Sequence, residues 1–177
     1  MKKAFRNRAH AGIELARKLK RYKDADNAIV VGLARGGVPV AAALSEKLNL
    51  PCDVFVSRKL SVPEDRRRAL GAVTETGVVF LDEVALWTEP WLPRELRRYI
   101  EEELRLREDD VARRCTCYRR GQKLPDFRAQ NIITVDDGTF TGATFVAAMQ
   151  SLRKLGARYL IGALPVATRS VSKGSAR

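Results

Sequence analysis

The sequence predicts an α/β fold built on a twisted parallel sheet flanked by helices, and three observations predict it. Strand-like apolar runs alternate with stretches of helical periodicity along the chain, the order that joins parallel strands through crossover helices. The run over 28–33 is continuous in apolar residues, as strands covered on both faces are. Two small-residue loops, one after that run and one after 132–135, each open onto a helical pattern. Both therefore fall at carboxyl ends of strands, where ligands of such sheets sit.

The elements follow in order. Residues 8–19 read as a helix with Ala9, Ile13 and Ala16 on its apolar side. Asp24-Ala25-Asp26-Asn27 is a turn. After the strand over 28–33, Ala34-Arg35-Gly36-Gly37 forms a tight loop, and 38–48 is a helix closed by Asn49 and Pro51. Residues 53–57 are the next strand, with Arg58-Lys59 at its end. Residues 58–70 are polar, basic and punctuated by proline, the composition of a flexible loop. Two short strands, 71–73 and 78–81, flank Thr74-Glu75-Thr76-Gly77 as a small hairpin. A connector follows from Trp87, and then a long helix from Pro93 to about Ala112. The strand over 132–135 precedes the second loop. A helix over 143–155 ends at Gly156, a residue suited to a left-handed cap, and 158–163 is a last strand. The domain expected is 1–168, with a polar tail over 169–177.

Composition narrows the function. A chain of 177 residues with 45% hydrophobic content fits one folded domain with its own core. No apolar run approaches the ~20 residues of a membrane span, and no apolar secretory segment follows the basic first residues. The expected location is the cytoplasm. Three cysteines, Cys52, Cys115 and Cys117, are too few and too odd for a disulfide framework. With His10 the lone histidine, a structural zinc lacks ligands. The net charge of +12 draws anions, either nucleic acid or a polyphosphate. Nucleic acid is the less favoured of the two, because many of the cations lie in mixed-sign helices.

The most informative segment is Val135-Asp136-Asp137-Gly138-Thr139-Phe140-Thr141-Gly142-Ala143-Thr144. A strand feeding a loop at a helix N-terminus gathers backbone N–H groups and a positive dipole end at one spot, which suits a phosphate. Thr139, Thr141 and Thr144 add hydroxyls. Asp136 and Asp137 would repel a phosphate, but they can accept from sugar hydroxyls a few ångströms away or help hold a metal. Phosphate, diol and metal together describe a sugar phosphate. Neither a Walker A pattern nor Gly-x-Gly-x-x-Gly is present.

This segment resembles the phosphoribosyl-pyrophosphate motif of type I phosphoribosyltransferases. The resemblance covers nearly the whole chain: Arg8-x-His10-Ala11-Gly12, the Arg35-Gly36-Gly37 loop, Arg58-Lys59, Ala69-Leu70-Gly71-Ala72-Val73, the two-acid motif and Leu164-Pro165-Val166-Ala167 occur in that order. It is similar to a group of little-characterised bacterial and archaeal proteins of that family. The resemblance implies a type I phosphoribosyltransferase fold. It also implies transfer of a ribosyl 5-phosphate from phosphoribosyl pyrophosphate to a nitrogen acceptor, with Mg²⁺ and release of pyrophosphate. Residues 138–144 would hold the 5-phosphate, and Asp136 and Asp137 the ribose hydroxyls. Ala34, Arg35, Gly36 and Gly37 would take the pyrophosphate together with Arg58 and Lys59. No direct protein ligand to the metal is implied; the substrate would hold it, with Asp136 and Asp137 acting through water. A homodimer is the implied assembly. The alternative is a nucleotide-binding regulator, one able to bind RNA, without turnover.

Three departures from the family pattern stand out. Arg67 occupies a place where the loop usually carries glutamate. Phe140 replaces the acid that some relatives aim at the base. The chain stops at Arg177, where relatives continue into the hood over the acceptor, so a shortened chain or a reduced hood is expected.

Overall fold

A computed structural model describes residues 5–63, 65–91, 93–139 and 141–167. Phe140 and the tail expected from 169 onwards lie outside them. In chain order the elements are α1 (Arg8–Lys18), β1 (Ala28–Leu33), α2 (Gly37–Leu48), β2 (Cys52–Phe55), β3 (Ser57–Ser61), β4 (Ala69–Thr74), β5 (Val79–Leu81), α3 (Glu83–Trp87), α4 (Pro93–Arg119), β6 (Asn131–Val135), α5 (Ala143–Lys154) and β7 (Tyr159–Ala163). They form two compact units. One takes the chain up to Phe55, the stretch from Pro125 into the motif loop, and the chain from Leu152 onwards. The other is Val56–Leu124 with Thr141–Ser151.

The first unit carries a four-stranded sheet in the order β2-β1-β6-β7, parallel throughout. Every residue of β1 is buried, and Val30, Val31, Ile132, Ile133 and Val135 expose none of their surface. That explains the unbroken apolar run. The chain leaves β1 through α2 to pair β2 on one side, whereas β6 continues to β7 on the other. The strand order therefore reverses between β1 and β6, and a crevice opens there at their carboxyl ends. Gly32 at the end of β1 faces Val135 at the end of β6, so the two predicted loops leave the sheet side by side.

α1 is fixed by local signals and by packing. Asn7 caps it, its Oδ1 accepting from the His10 N–H at 2.8 Å. Ala11 and Gly12 are buried against α2, where a side chain at Gly12 would run into the Val40 carbonyl. The cap and the docking together set where Arg8, the first helical residue, stands.

The second unit is an antiparallel meander, β3-β4-β5, with α4 packed on β3. Three expectations change here. Arg58 and Lys59 do not begin a loop. They lie inside β3, opposite Val73 and Ala72, and only 62–68 is left as connector. Pairing with β4 supplies hydrogen bonds that no local pattern announces. A short helix, α3, precedes the connector that begins at Trp87. Asp82 caps it, its side chain accepting from the Ala85 N–H at 3.1 Å. α4 runs to Arg119, beyond Ala112, because charged rather than apolar contacts hold its last turns. Arg114 donates to Asp110 at 2.9 Å, and Arg119 donates through Nε and Nη2 to Glu75 at 2.7 and 3.0 Å.

Glu75 is the polar anchor of this unit. Its carboxylate, 3% exposed, also accepts the Val56 N–H at 2.7 Å. Removing one member of such a pair leaves a buried charge uncompensated. Glu75→Ala is expected to lower stability by about 3–5 kcal/mol, read as a fall in the urea midpoint. The exposed pair Arg97–Glu101 on the same helix provides the contrast: Arg97→Ala should cost under about 1 kcal/mol.

Candidate functional site

In the first unit the structure brings together the Arg35-Gly36-Gly37 loop and the start of the two-acid motif. A Cβ on Gly37 would strike the Val135 carbonyl and lie 2.8 Å from the Asp136 Cα. A Cβ on Gly36 would overlap the whole Asp137 carboxylate. The sequence suggests glycines that admit an anion. The geometry adds a nearer reason: the paired glycines let the two loops close on each other, so that Asp137 lies directly over Gly36. The peptide bond between Ala34 and Arg35 is cis. The Arg35 side chain is exposed and makes no ion pair among the described residues, which leaves its guanidinium available to an anion.

The adjacent acids have different surroundings. Asp137 is paired with Arg8: Nε donates to Oδ2 at 2.8 Å, and Nη2 lies 2.7 Å from the same oxygen. Asp136 has no such ion pair among the described residues. Its Oδ1 accepts the Asp137 N–H at 2.9 Å. Burial, reinforced by the neighbouring Asp137 carboxylate, pushes its carboxyl up to about 7 against the pull of that hydrogen bond. One carboxyl group is thus held in place by a guanidinium, and the other is poised to carry a proton near neutrality.

The rest of the motif loop follows two courses. The Thr139 N–H donates to the Val166 carbonyl at 3.2 Å, and Thr139 forms a parallel bridge with Ala167. That amide is therefore committed to the segment after β7. Gly142, at φ +83°, leads into α5, which starts at Ala143 with no acidic residue in its first turn. A helix start without negative charge suits an anion. Thr141, Gly142, Ala143 and Thr144 belong to the second unit. Phe140 lies outside the described residues.

Arg58 and Lys59 also belong to the second unit, where a carboxylate and two main-chain carbonyls of that unit contact them. Arg58 Nε lies 2.7 Å from Asp110 Oδ2, although the N–H points off the contact and is left without a hydrogen bond. Burial lowers the Arg58 pKa, and the nearby Arg114 cation adds to the effect. Lys59 Nζ donates to the carbonyls of Arg66 and Arg67 at 2.5 and 3.4 Å. Burial lowers its pKa as well, with Asp65 opposing. Both cations line a cavity of about 470 Å³ with Arg66, Tyr99, Glu103 and Arg107. Arg67 forms an ion pair with Asp65.

Among the described residues, no three His, Cys, Asp or Glu side chains gather to hold a metal, and no helix is long and apolar enough to cross a membrane. Asp136 and Asp137 offer only two carboxyl groups, one of them engaged by Arg8. That donor set fits a Mg²⁺ that draws most of its ligands from water and phosphate oxygens. Sequence reasoning misses two site-adjacent residues. It gives Arg8 a place in a motif but no role, and it reads Asp110 as part of a solvated helix face. Arg8 lies 129 positions from its partner, and no local pattern carries that pairing.

Comparison with known proteins follows the same lines. Residues 3–174 match the family model described as the phosphoribosyl transferase domain. Two Mycobacterium tuberculosis proteins with a provisional phosphoribosyl transferase name are 37% identical over 165 residues, 93% of this chain. The chain spans 36% of the length of those relatives. The crystal structure of TT1426 from Thermus thermophilus superposes with a TM-score of 0.75 at 34% identity, covering 99% of this chain and 81% of that one. A purine phosphoribosyltransferase from Pyrococcus horikoshii Ot3 aligns over 89% of this chain and 70% of its own, at 20% identity and a TM-score of 0.50. At that distance it shows a shared fold.

Proposed function

The chain belongs to the phosphoribosyl transferase domain family, and from that membership we propose that residues 1–168 transfer a ribosyl 5-phosphate from phosphoribosyl pyrophosphate to a nitrogen acceptor, releasing pyrophosphate. The observation that carries the reading is the closure of the Gly36-Gly37 loop on Asp136-Asp137 at the point where the strand order reverses. It sets the paired glycines and the two carboxyl groups side by side within one unit, which supports reading the first as the anion site and the second as the diol site.

Each group has a task in this reading. The loop over 138–144 and the start of α5 bind the 5-phosphate through N–H groups, threonine hydroxyls and the helix dipole. Asp137, oriented by Arg8, accepts from a ribose hydroxyl, and Asp136 accepts from the other after losing its proton. Breaking the bond at the anomeric carbon builds positive charge on the sugar and negative charge on pyrophosphate. Arg35, and by resemblance Arg58 and Lys59, stabilise the negative side, the electrostatic contribution that usually dominates. Mg²⁺, when bound with the substrate, neutralises pyrophosphate charge. The acceptor is a nucleobase-like nitrogen heterocycle, and the working form is a cytoplasmic homodimer.

Calorimetry with phosphoribosyl pyrophosphate and Mg²⁺ tests the donor site. The expected result is saturable binding, weakened about 10- to 100-fold by Asp136→Asn or Asp137→Asn, the range for losing a charged hydrogen-bond partner. Parent-like binding by both variants would refute the assignment. Pyrophosphate release, screened over nitrogen heterocycles, tests turnover. Donor binding with no release for any acceptor would transfer the reading to a nucleotide-sensing regulator. The +12 charge would then point to RNA as its partner.

A further inference from the structure

The Arg8–Asp137 pair joins the first residue of α1 to the diol side of the crevice, and its exposure argues against a role in stability. The Arg8 side chain is 60% exposed and that of Asp137 29%. Exposed ion pairs contribute little to folding. α1 is already fixed without it, by the Asn7 cap and the burial of Ala11 and Gly12 on α2. What the pair does accomplish is local. Two guanidinium donors meet one oxygen, Asp137 Oδ2, while Gly36 lies close against the same carboxylate. Between the two, the carboxylate is held in one orientation while part of the side chain stays exposed.

We propose that Arg8 is a positioning residue for the donor site: it holds the Asp137 carboxylate aimed for a sugar diol. This deepens the function proposed above and rests on that reading. A short carboxylate on a loop can rotate, and a ligand that must order it loses affinity. Arg8 removes that cost before the ligand arrives, as a group that holds a reacting or binding side chain in its productive geometry does. A lysine at the same place restores the charge but offers a point contact in place of the fork.

The test is donor titration by calorimetry with Mg²⁺ on the parent, Arg8→Ala, Arg8→Lys, Asp137→Asn and the double variant Arg8→Ala/Asp137→Asn, with thermal unfolding of each. The expected result is about a tenfold loss of donor affinity for Arg8→Ala and recovery to within about threefold of the parent for Arg8→Lys. In the Asp137→Asn background Arg8→Ala should change affinity less than about twofold, because coupled residues fail to add. The unfolding midpoint of Arg8→Ala should stay near that of the parent. Arg8→Ala affinity within about twofold of the parent would overturn the proposal, as would an equal loss in both backgrounds. A fall in midpoint matching the fall in affinity would overturn it too, as a sign of a structural role. A parent that does not bind the donor at all would sink the proposed function instead, so the two failures are distinct.

Discussion

Gly36→Ala is expected to abolish measurable donor binding, a loss of about 100-fold or more, while the protein still folds. The backbone at Gly36 is ordinary, φ −64° and ψ −35°, so alanine brings no conformational strain. The obstacle is steric, since the added methyl occupies the space of the Asp137 carboxylate. That carboxylate cannot yield outward without breaking its contacts to Arg8. Overpacking of this kind costs about 1–3 kcal/mol of stability, less than a domain's usual total stability, whereas in the proposed function the displaced carboxylate no longer meets the ligand. Calorimetry and urea unfolding on the same variant separate the two effects. Donor affinity within about threefold of the parent would show that the loops do not need this close approach.

The second large effect is on pH dependence. Asp136 titrates near 7 in the folded protein, against 3.8 for an ordinary aspartate. Below about pH 4 both folded and unfolded chains are protonated there and the group contributes no pH slope. Between about 4 and 7 the folded state holds a proton that the unfolded state has lost, so stability falls as pH rises. Above about 7 the slope ends. At about 1.4 kcal/mol per unit the shift bounds the effect near 4 kcal/mol, and partial exposure with Arg8 close to the neighbouring carboxylate reduces it to about 1–3 kcal/mol. Asp136→Asn removes the slope. The variant should match the parent near pH 4 and exceed it in stability by that amount at pH 8, measured by urea unfolding without ligand or metal. A constant difference across the range would disprove the buried-proton reading. In the proposed function the same proton must leave before Asp136 accepts from a sugar hydroxyl, so donor affinity should rise with pH through about 7.

Much of the scaffold is legible in the sequence because it is written in local periodicity. The apolar run of β1 has to be buried on both faces, and β6 with its acids and small residues announces a strand, a turn and a helix start. The hairpin of β4 and β5 follows from the turn Thr74-Glu75-Thr76-Gly77. The failures occur where non-local contacts decide. β3 exists because β4 pairs with it, so Arg58 and Lys59 read locally as loop. The last turns of α4 are held by Arg114–Asp110 and Arg119–Glu75, and the second of these crosses 44 positions. Ion pairs of that span leave no period to detect.

The chemical inventory of this site is readable from the chain alone: two adjacent carboxyl groups, a glycine pair and a small-residue loop at carboxyl ends of parallel strands. It is readable because each of these lies within a few residues of a strand end. The tertiary structure decided how that inventory behaves. The proton at Asp136 depends on its burial, and the orientation of Asp137 depends on a guanidinium brought from α1. Why the glycines are needed depends on the Asp137 carboxylate that the fold lays over Gly36 and on the Val135 carbonyl it brings against Gly37. Protonation and close contact are properties of what surrounds a residue, and here those surroundings come from segments roughly a hundred or more positions apart.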